Sequence, residues 1–470
     1  MAPEISELIA ALPADLEQEP TENENLESIL EEIGKKRVPV GRFTRFWLLG
    51  GLQAKIALAY LAWWLRQKYV RGDSAAHERN EVHMRNSLRL LSTMGYMRGT
   101  IMKIGQMLAS YPSILPEQFA NMLGVLHFDA PPMHYSLIRE HIINELGDSP
   151  ENLFEHFEEK AFAAASLGQV HRATLKSGAQ VAVKIQYPNI ARTIQDDFRN
   201  LNTAIFPMRL SRDWDNMKAQ WSDICRQLEY ECDYEREAGW LKQARLQFTE
   251  ADRIVVPRVF DEFSTKRILT MEYLDGLHLP AYVETNPSQA ERDRYGELIF
   301  QSMTRLYYQL RIMYADPHPG NYLFLSDGRL GLIDFGCCRS FSDDEWRYLL
   351  RVEETSGYDA DNDALTETLV QSIDFTSRDQ VKSEQLDMVR NWCRWQWEPW
   401  QVEDRFNFGD RDYLDRGIEL LGTMMRRGYT RSKSVNTWVN RAFIGIRTIL
   451  YRLDARINVR RILDEETCVR

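Results

Sequence analysis

The chain has 470 residues, 44% hydrophobic and 27% charged. That balance excludes a disordered or collagen-like polymer and suggests two or three domain-sized units. The net charge of −11 argues against a nucleic-acid binder, and six cysteines without a C-x-x-C pair exclude a disulfide scaffold, a zinc ribbon or a thioredoxin-like motif.

In chain order, residues 1–40 read as a mobile acidic tail. Residues 1–32 hold ten carboxylates and no Lys or Arg, which excludes a secretory or mitochondrial presequence. Residues 41–150 read as a helical extension, with apolar residues at three- and four-residue spacing, as in Leu88, Leu91, Met94 and Met97, and later Leu137, Ile138, His141 and Ile142. Phe46–Leu65 is long enough to span a bilayer. Gln53 and Lys55 near its middle favour a buried or membrane-surface helix, because a central Lys costs about 2.5–3.5 kcal/mol on insertion. Residues 151–275 read as a mostly-β unit. GQVHRATL and AQVAVKIQ form a hairpin around Ser177-Gly178, and a polar helical stretch runs from about 190 to 250. RIVVPRVF and KRILTMEYL then read as two further strands around a turn. Residues 276–470 read as a helical unit. A small strand pair flanks Ser326-Asp327-Gly328, and a helix is capped near Ser342 or Asp343. No repeat is visible.

Two compositional features stand apart. Trp392, Trp395, Trp397 and Trp400 fall within nine residues, and suit core packing, with a lipid-headgroup role as the alternative. Residues 416–461 carry eleven Lys/Arg against Glu419 and Asp454. This is a solvated face, or a surface for an anionic membrane or an acidic partner, with Arg426, Arg427 and Arg431 as the candidate lipid contacts.

The chemistry lies in four spaced motifs. Ala163-Ala164-Ala165-Ser166-Leu167-Gly168-Gln169-Val170 overlays the kinase loop G-x-G-x-x-G-x-V, with Ala at the first two Gly positions. Val181-Ala182-Val183-Lys184 follows and matches the strand that carries the phosphate-binding Lys. Asp316 and Asn321 stand five apart, as in D-x-x-x-x-N, and Asp334-Phe335-Gly336 comes eighteen residues after Asp316. Phosphoryl transfer needs this set: carboxylates and an amide for Mg²⁺, a Lys on the α/β-phosphates, and a carboxylate near the attacking hydroxyl. Two departures matter. Tyr314-Ala315 replaces the His-Arg before the catalytic Asp, and no A-P-E follows the DFG. The segment that would hold a protein substrate is missing, which argues against protein phosphorylation in trans. His318 has no second His or Cys nearby and reads as loop-shaping.

With these motifs in place, residues 85–345 resemble the UbiB/AarF family of atypical protein-kinase-like proteins, which includes the mitochondrial ADCK proteins. The resemblance rests on Lys103-Ile104-Gly105-Gln106 (K-x-G-Q), the alanine-rich loop, Glu231-Cys232-Asp233 (E-x-D) and the following Tyr234-Glu235-Arg236-Glu237-Ala238. It implies an α+β, bilobal protein-kinase-like fold with an N-terminal helical extension carrying K-x-G-Q, binding ATP/ADP and Mg²⁺. Glu237 would orient Lys184. Asn321 and Asp334 would bind the metal, and Asp316 would act as base or orient a water. Lys103, with Gln106 in the same helix, would pair with the E-x-D carboxylates Glu231 and Asp233. Ala163, Ala165, Ser166, Gly168 and Val170 would cover the nucleotide, and the Glu272–Leu274 backbone would contact adenine. A Cβ at Ala163 or Ala165 prevents the closest backbone approach to phosphates and restricts positive φ. The resemblance implies altered nucleotide selectivity and suppressed autophosphorylation. The resemblance further implies support of ubiquinone or other isoprenoid-lipid biosynthesis by a cytoplasmic, peripherally membrane-associated protein. The expected partners are an isoprenoid or quinone-type lipid, an anionic membrane surface and lipid-biosynthesis proteins, with no nucleic acid; homodimerisation stays open. A nucleotide-switched lipid-binding scaffold and a small-molecule phosphotransferase are the alternatives. The K-x-G-Q extension argues against the latter because it would cover an open acceptor site.

Overall fold

The computed structural model describes residues 133–165, 167–188, 190–191, 194, 214–314, 318–356, 366–368, 370, 383–427, 429 and 434–467. The chain divides into two units, residues 1–132 with 188–228 and residues 133–187 with 229–470. The architecture below is that of the second. The acidic tail, Phe46–Leu65, Lys103 and Gln106 lie outside the described residues, as do Ser166, Asp316 and Arg431.

The small lobe begins with helix α1 (Tyr135–Leu146), followed by strands β1 (Phe154–Phe157), β2 (Ala163–Ala165), β3 (Gly168–Leu175) and β4 (Gln180–Gln186). After α2 (Trp214–Glu231), whose end belongs to this unit, come α3 (Tyr234–Arg245), β5 (Ile254–Val255), β6 (Ile268–Glu272) and β7 (Gly276–Leu277). The antiparallel small-lobe sheet runs β1-β3-β4-β6, with β2 also on β3. The β3–β4 hairpin turns through Gly178 at φ 85°, a left-handed position that needs glycine.

Period-two alternation explains how β4 is buried on both faces. Val181, Val183 and Ile185 pack with Ile138 and Ile142 of α1, whereas Ala182 joins the core of Tyr234, Ala238 and Leu241 from α3. Lys184 therefore shares the face turned to α3. The packing of α1 also moves a boundary. This helix was expected in the 41–150 extension, but Ile138 and Ile142 are fully buried against the sheet, so the small lobe starts at about residue 133.

The large lobe centres on α4 (Gln289–Leu310), followed by β8 (Ile312–Tyr314), β9 (Tyr322–Leu325), β10 (Leu330–Leu332), β11 (Cys338–Ser340) and α5 (Asp343–Ser356). It continues with α6 (Ser383–Gln401), β12 (Phe406–Asn407), α7 (Arg411–Arg426), α8 (Ser434–Leu453), β13 (Arg456–Ile457) and α9 (Val459–Thr467). The expected β9–β10 pair forms, and Ser342 and Glu345 make a reciprocal cap on α5. Of the two strands expected from RIVVPRVF and KRILTMEYL, the first divides. Val259 bridges antiparallel to Met271 of β6, with the Phe260 N–H donating to the Thr270 carbonyl, and only its first residues leave for another sheet. β6 stays in the small-lobe sheet, while Ile254-Val255 pairs in parallel with β10 in a second sheet, β5-β10-β9-β7. Trp392, Trp395 and Trp400 are buried, and Trp395 Nε1 donates to the Tyr413 carbonyl at 2.8 Å, so these three are core. Among the described residues no helix is long and apolar enough to cross a membrane.

Candidate functional site

The site is assembled by three elements of different kinds. Strand β4 delivers Lys184, the first turn of α3 delivers Glu237, and the stretch after β10 delivers Asp334. Lys184 Nζ donates to both Glu237 oxygens at 2.8 and 3.0 Å and to Asp334 Oδ2 at 3.2 Å. Lys184 is 6% exposed and Glu237 1%, whereas the Asp334 side chain keeps 35%. Burial alone would discharge Lys184, but the Asp334 and Glu237 carboxylates outweigh it and hold its pKa well above the ordinary lysine value. Burial pushes the Glu237 carboxyl up and Asp334 adds to that push, while Lys184 and the Phe335 N–H pull it down. That amide donates to Glu237 Oε1 at 3.4 Å, so one carboxylate joins the strand lysine to the DFG backbone.

The alanine strand β2 runs antiparallel to the start of β3. Ala163, Ala164 and Ala165 pair with Val170, Gln169 and Gly168, and Val170 in turn lies opposite Lys184 across β3–β4. A Cβ at Gly168 would stand 2.1 Å from the Ile185 carbonyl oxygen, so glycine is dictated there by the neighbouring strand. At the end of β6, the Glu272 and Tyr273 N–H groups donate to the Arg258 and Gln180 carbonyls. The Leu274 N–H makes no backbone hydrogen bond among the described residues. The Glu272 side chain accepts from the Arg258 N–H at 3.2 Å.

In the large lobe, Asn321 closes a short 3-10 turn, and its carbonyl accepts the Ile333 N–H at 3.1 Å, fastening this loop to the approach to Asp334. His318 Nδ1 accepts the Gly320 N–H at 3.0 Å, a loop-shaping contact. Asp334 Oδ1 accepts the Gly336 N–H at 3.0 Å.

The E-x-D residues sit differently from the lysine cluster. Glu231 is buried at the end of α2. Asp233 caps α3 by accepting the Arg236 N–H at 3.1 Å and pairs with Lys266 at 3.3 Å. Two residues of the same segment have roles that motif spacing did not assign. The Tyr234 ring lies 5.0 Å from Lys184 Nζ, and the Arg236 guanidinium reaches the Gly336 and Cys338 carbonyls. Their signal was their place beside Glu237 in the first turn of one helix.

Residues 125–369 match the ABC1 atypical kinase-like domain. The chain is similar to "Atypical kinase COQ8B, mitochondrial" of Danio rerio, 27% identical over 458 residues, which cover 95% of this chain and 73% of that protein. It is similar to "Atypical kinase COQ8, mitochondrial" of Saccharomyces cerevisiae, also 27% identical, over 95% of this chain and 89% of that one. A solved structure, that of Rv3197 with erythromycin from Mycobacterium tuberculosis, has a TM-score of 0.56 at 24% identity, covers 83% of this chain and 97% of the other, and shows the shared fold.

Proposed function

The chain belongs to the ABC1 atypical kinase-like family, and from that premise we propose that it binds ATP with Mg²⁺ and either transfers the γ-phosphoryl group or hydrolyses it. The observation that carries this reading is the Lys184–Glu237–Asp334 cluster, in which Lys184 and Glu237 are buried. A lysine kept charged by two carboxylates in a water-poor site is a fixed point charge suited to the α/β-phosphates. Glu237 orients it from one side. Asp334 is the more exposed carboxylate, with hard oxygen donors that suit Mg²⁺, and the Asn321 amide is the second candidate ligand.

Among the described residues no group of three or more His, Cys, Asp or Glu could hold a metal ion. A magnesium ion shared with a triphosphate needs only one or two protein ligands, so the donor set fits. When bound, the ion neutralises charge on the phosphates. Asp316 would accept the proton of the attacking hydroxyl or water. The chain passes from β11 through Phe341 and Ser342 straight into α5, which supports a non-protein acceptor. Likeness to mitochondrial COQ8 proteins supports a role in ubiquinone or related isoprenoid-lipid biosynthesis. The basic run over residues 416–461 is the feature that favours peripheral attachment to an anionic membrane.

The test is Mg²⁺-dependent ATP hydrolysis by wild type and Asp334→Asn, with and without anionic liposomes and a phenolic headgroup analogue. Wild type should turn over, fastest with both additions, and Asp334→Asn should lose at least about a hundredfold, as for loss of a principal charge-stabilising group. Absence of wild-type turnover under every condition would overturn the enzymatic reading. Phosphate appearing on a soluble hydroxyl compound would replace the lipid role with small-molecule phosphotransfer.

A further inference from the structure

The turn that carries Asp334 must be held in place, and the two usual supports are missing from this sequence. Tyr314-Ala315 stands where a kinase has His-Arg, and no A-P-E segment follows the DFG. The structure supplies another support from α3. Arg236 Nη1 donates to the Gly336 carbonyl at 3.4 Å, and Nη2 donates to the Cys338 carbonyl. The guanidinium lies over the Tyr230 ring, 3.9 Å from its centroid, with the Trp240 ring centroid at 5.9 Å. Next in sequence, Glu237 takes the Phe335 N–H. Two consecutive residues of one helix thus hold the turn by opposite handles, one by an amide and the other by two carbonyls.

The consequence reaches Asp334 through one residue. Gly336, whose carbonyl Arg236 holds, donates its own N–H to Asp334 Oδ1 at 3.0 Å. Cys338 in turn pairs with Tyr314 across β11–β8, two residues before Asp316. We propose that Arg236 is the positioning residue that fixes the Asp334 carboxylate for Mg²⁺, in place of the absent activation segment. A planar, permanently charged fork is needed, because a lysine ammonium cannot reach two carbonyls while stacking on a ring. This inference rests on the nucleotide reading above.

The experiment follows ATP-dependent thermal stabilisation of the full chain while MgCl₂ is titrated, and nucleotide affinity separately in EDTA. Arg236→Met keeps a stem over Tyr230 and removes every donor. The Mg²⁺ needed for half-maximal stabilisation should rise about tenfold, the loss expected of a charge-assisted hydrogen bond, while affinity in EDTA stays within about twofold of wild type. Arg236→Lys should fall between the two, and it decides the question if the Met variant does not fold. An unchanged Mg²⁺ requirement, or equal losses with and without Mg²⁺, overturns the positioning role and leaves the nucleotide reading standing. A wild type that binds no nucleotide in either condition overturns the nucleotide reading and the inference with it.

Discussion

At the scale of single residues, Lys184 is held from below as well as from its sides. Tyr234 is 2% exposed, its ring faces the ammonium, and burial pushes its phenol pKa well above the ordinary value. Its hydroxyl makes no hydrogen bond among the described residues. The useful part of this side chain is therefore the ring. Tyr234→Phe keeps the ring and removes an unsatisfied buried hydroxyl, so stability in urea unfolding should be unchanged or higher. Tyr234→Leu removes the negative face beneath Lys184 and should cost about 2 kcal/mol, together with weaker stabilisation by ATP. Equal damage by both substitutions would show that the hydroxyl matters. Lys184 and Asp334 were legible from sequence because they stand in motifs of fixed order and spacing, whereas Glu237 was placed only by the family resemblance. Tyr234 and Arg236 stood in the same quoted segment without a role. A ring face under an ammonium, and a donor aimed at backbone carbonyls, leave no signature in residue pairs.

At the scale of elements, the β3–β4 hairpin was legible because eight- and seven-residue strands show their period and flank a Ser-Gly turn. The two residues of β5 show none, and their pairing with β10 is set by tertiary packing. The same limit hid the link between β3 and the start of the small lobe. His171 Nδ1–H donates to the Glu158 carbonyl at 2.8 Å, and Nε2 accepts from Gln169 Nε2 at 2.8 Å. Gln169 cannot flip without loss, since its Oε1 accepts the Met133 N–H at 2.7 Å. The ring is thus committed to its neutral form, and burial lowers its pKa against the weaker upward pull of Glu158. A group whose folded pKa is depressed contributes stability above its unfolded value, near 6.5, and loses it as pH falls toward the folded value. The small lobe should therefore melt lower at pH 5.5 than at pH 7.5. Gln169→Glu offers a carboxylate to protonated His171 while still accepting from Met133, so it should shrink that acid loss. An unchanged pH slope in the variant would exclude His171 as the titrating group. Buried His141 on α1 also has a lowered pKa, with Glu145 and Arg267 as its charged neighbours, and supplies a residual slope in the variant.

At the scale of the whole molecule, the basic run near the C-terminus changes meaning once its neighbours are known. Arg427 pairs with Glu384, Arg416 with Glu398, and Arg461 with Glu297 and Glu465. Arg447 is buried, donating to the Tyr413 hydroxyl and the Gln396 carbonyl. The acids that answer these cations come from α4, α6 and α9, so composition counted over residues 416–461 overstated the free charge. Arg452, Arg456 and Arg460 are exposed and form no ion pair among the described residues. If the protein attaches to anionic membranes, these three are better placed to do so than Arg427. A basic residue near such a surface contributes about 1 kcal/mol, so replacing all three with Gln should weaken vesicle binding by about two orders of magnitude at low salt. The difference should narrow as added salt screens the surface. Arg427→Gln should leave vesicle binding unchanged, because it breaks only an exposed pair between α6 and the end of α7. Co-sedimentation with phosphatidylserine-containing vesicles at two salt concentrations separates these outcomes. Wild-type binding by the triple variant would remove electrostatic attachment through this end of the chain, and attachment would then have to come from apolar surface.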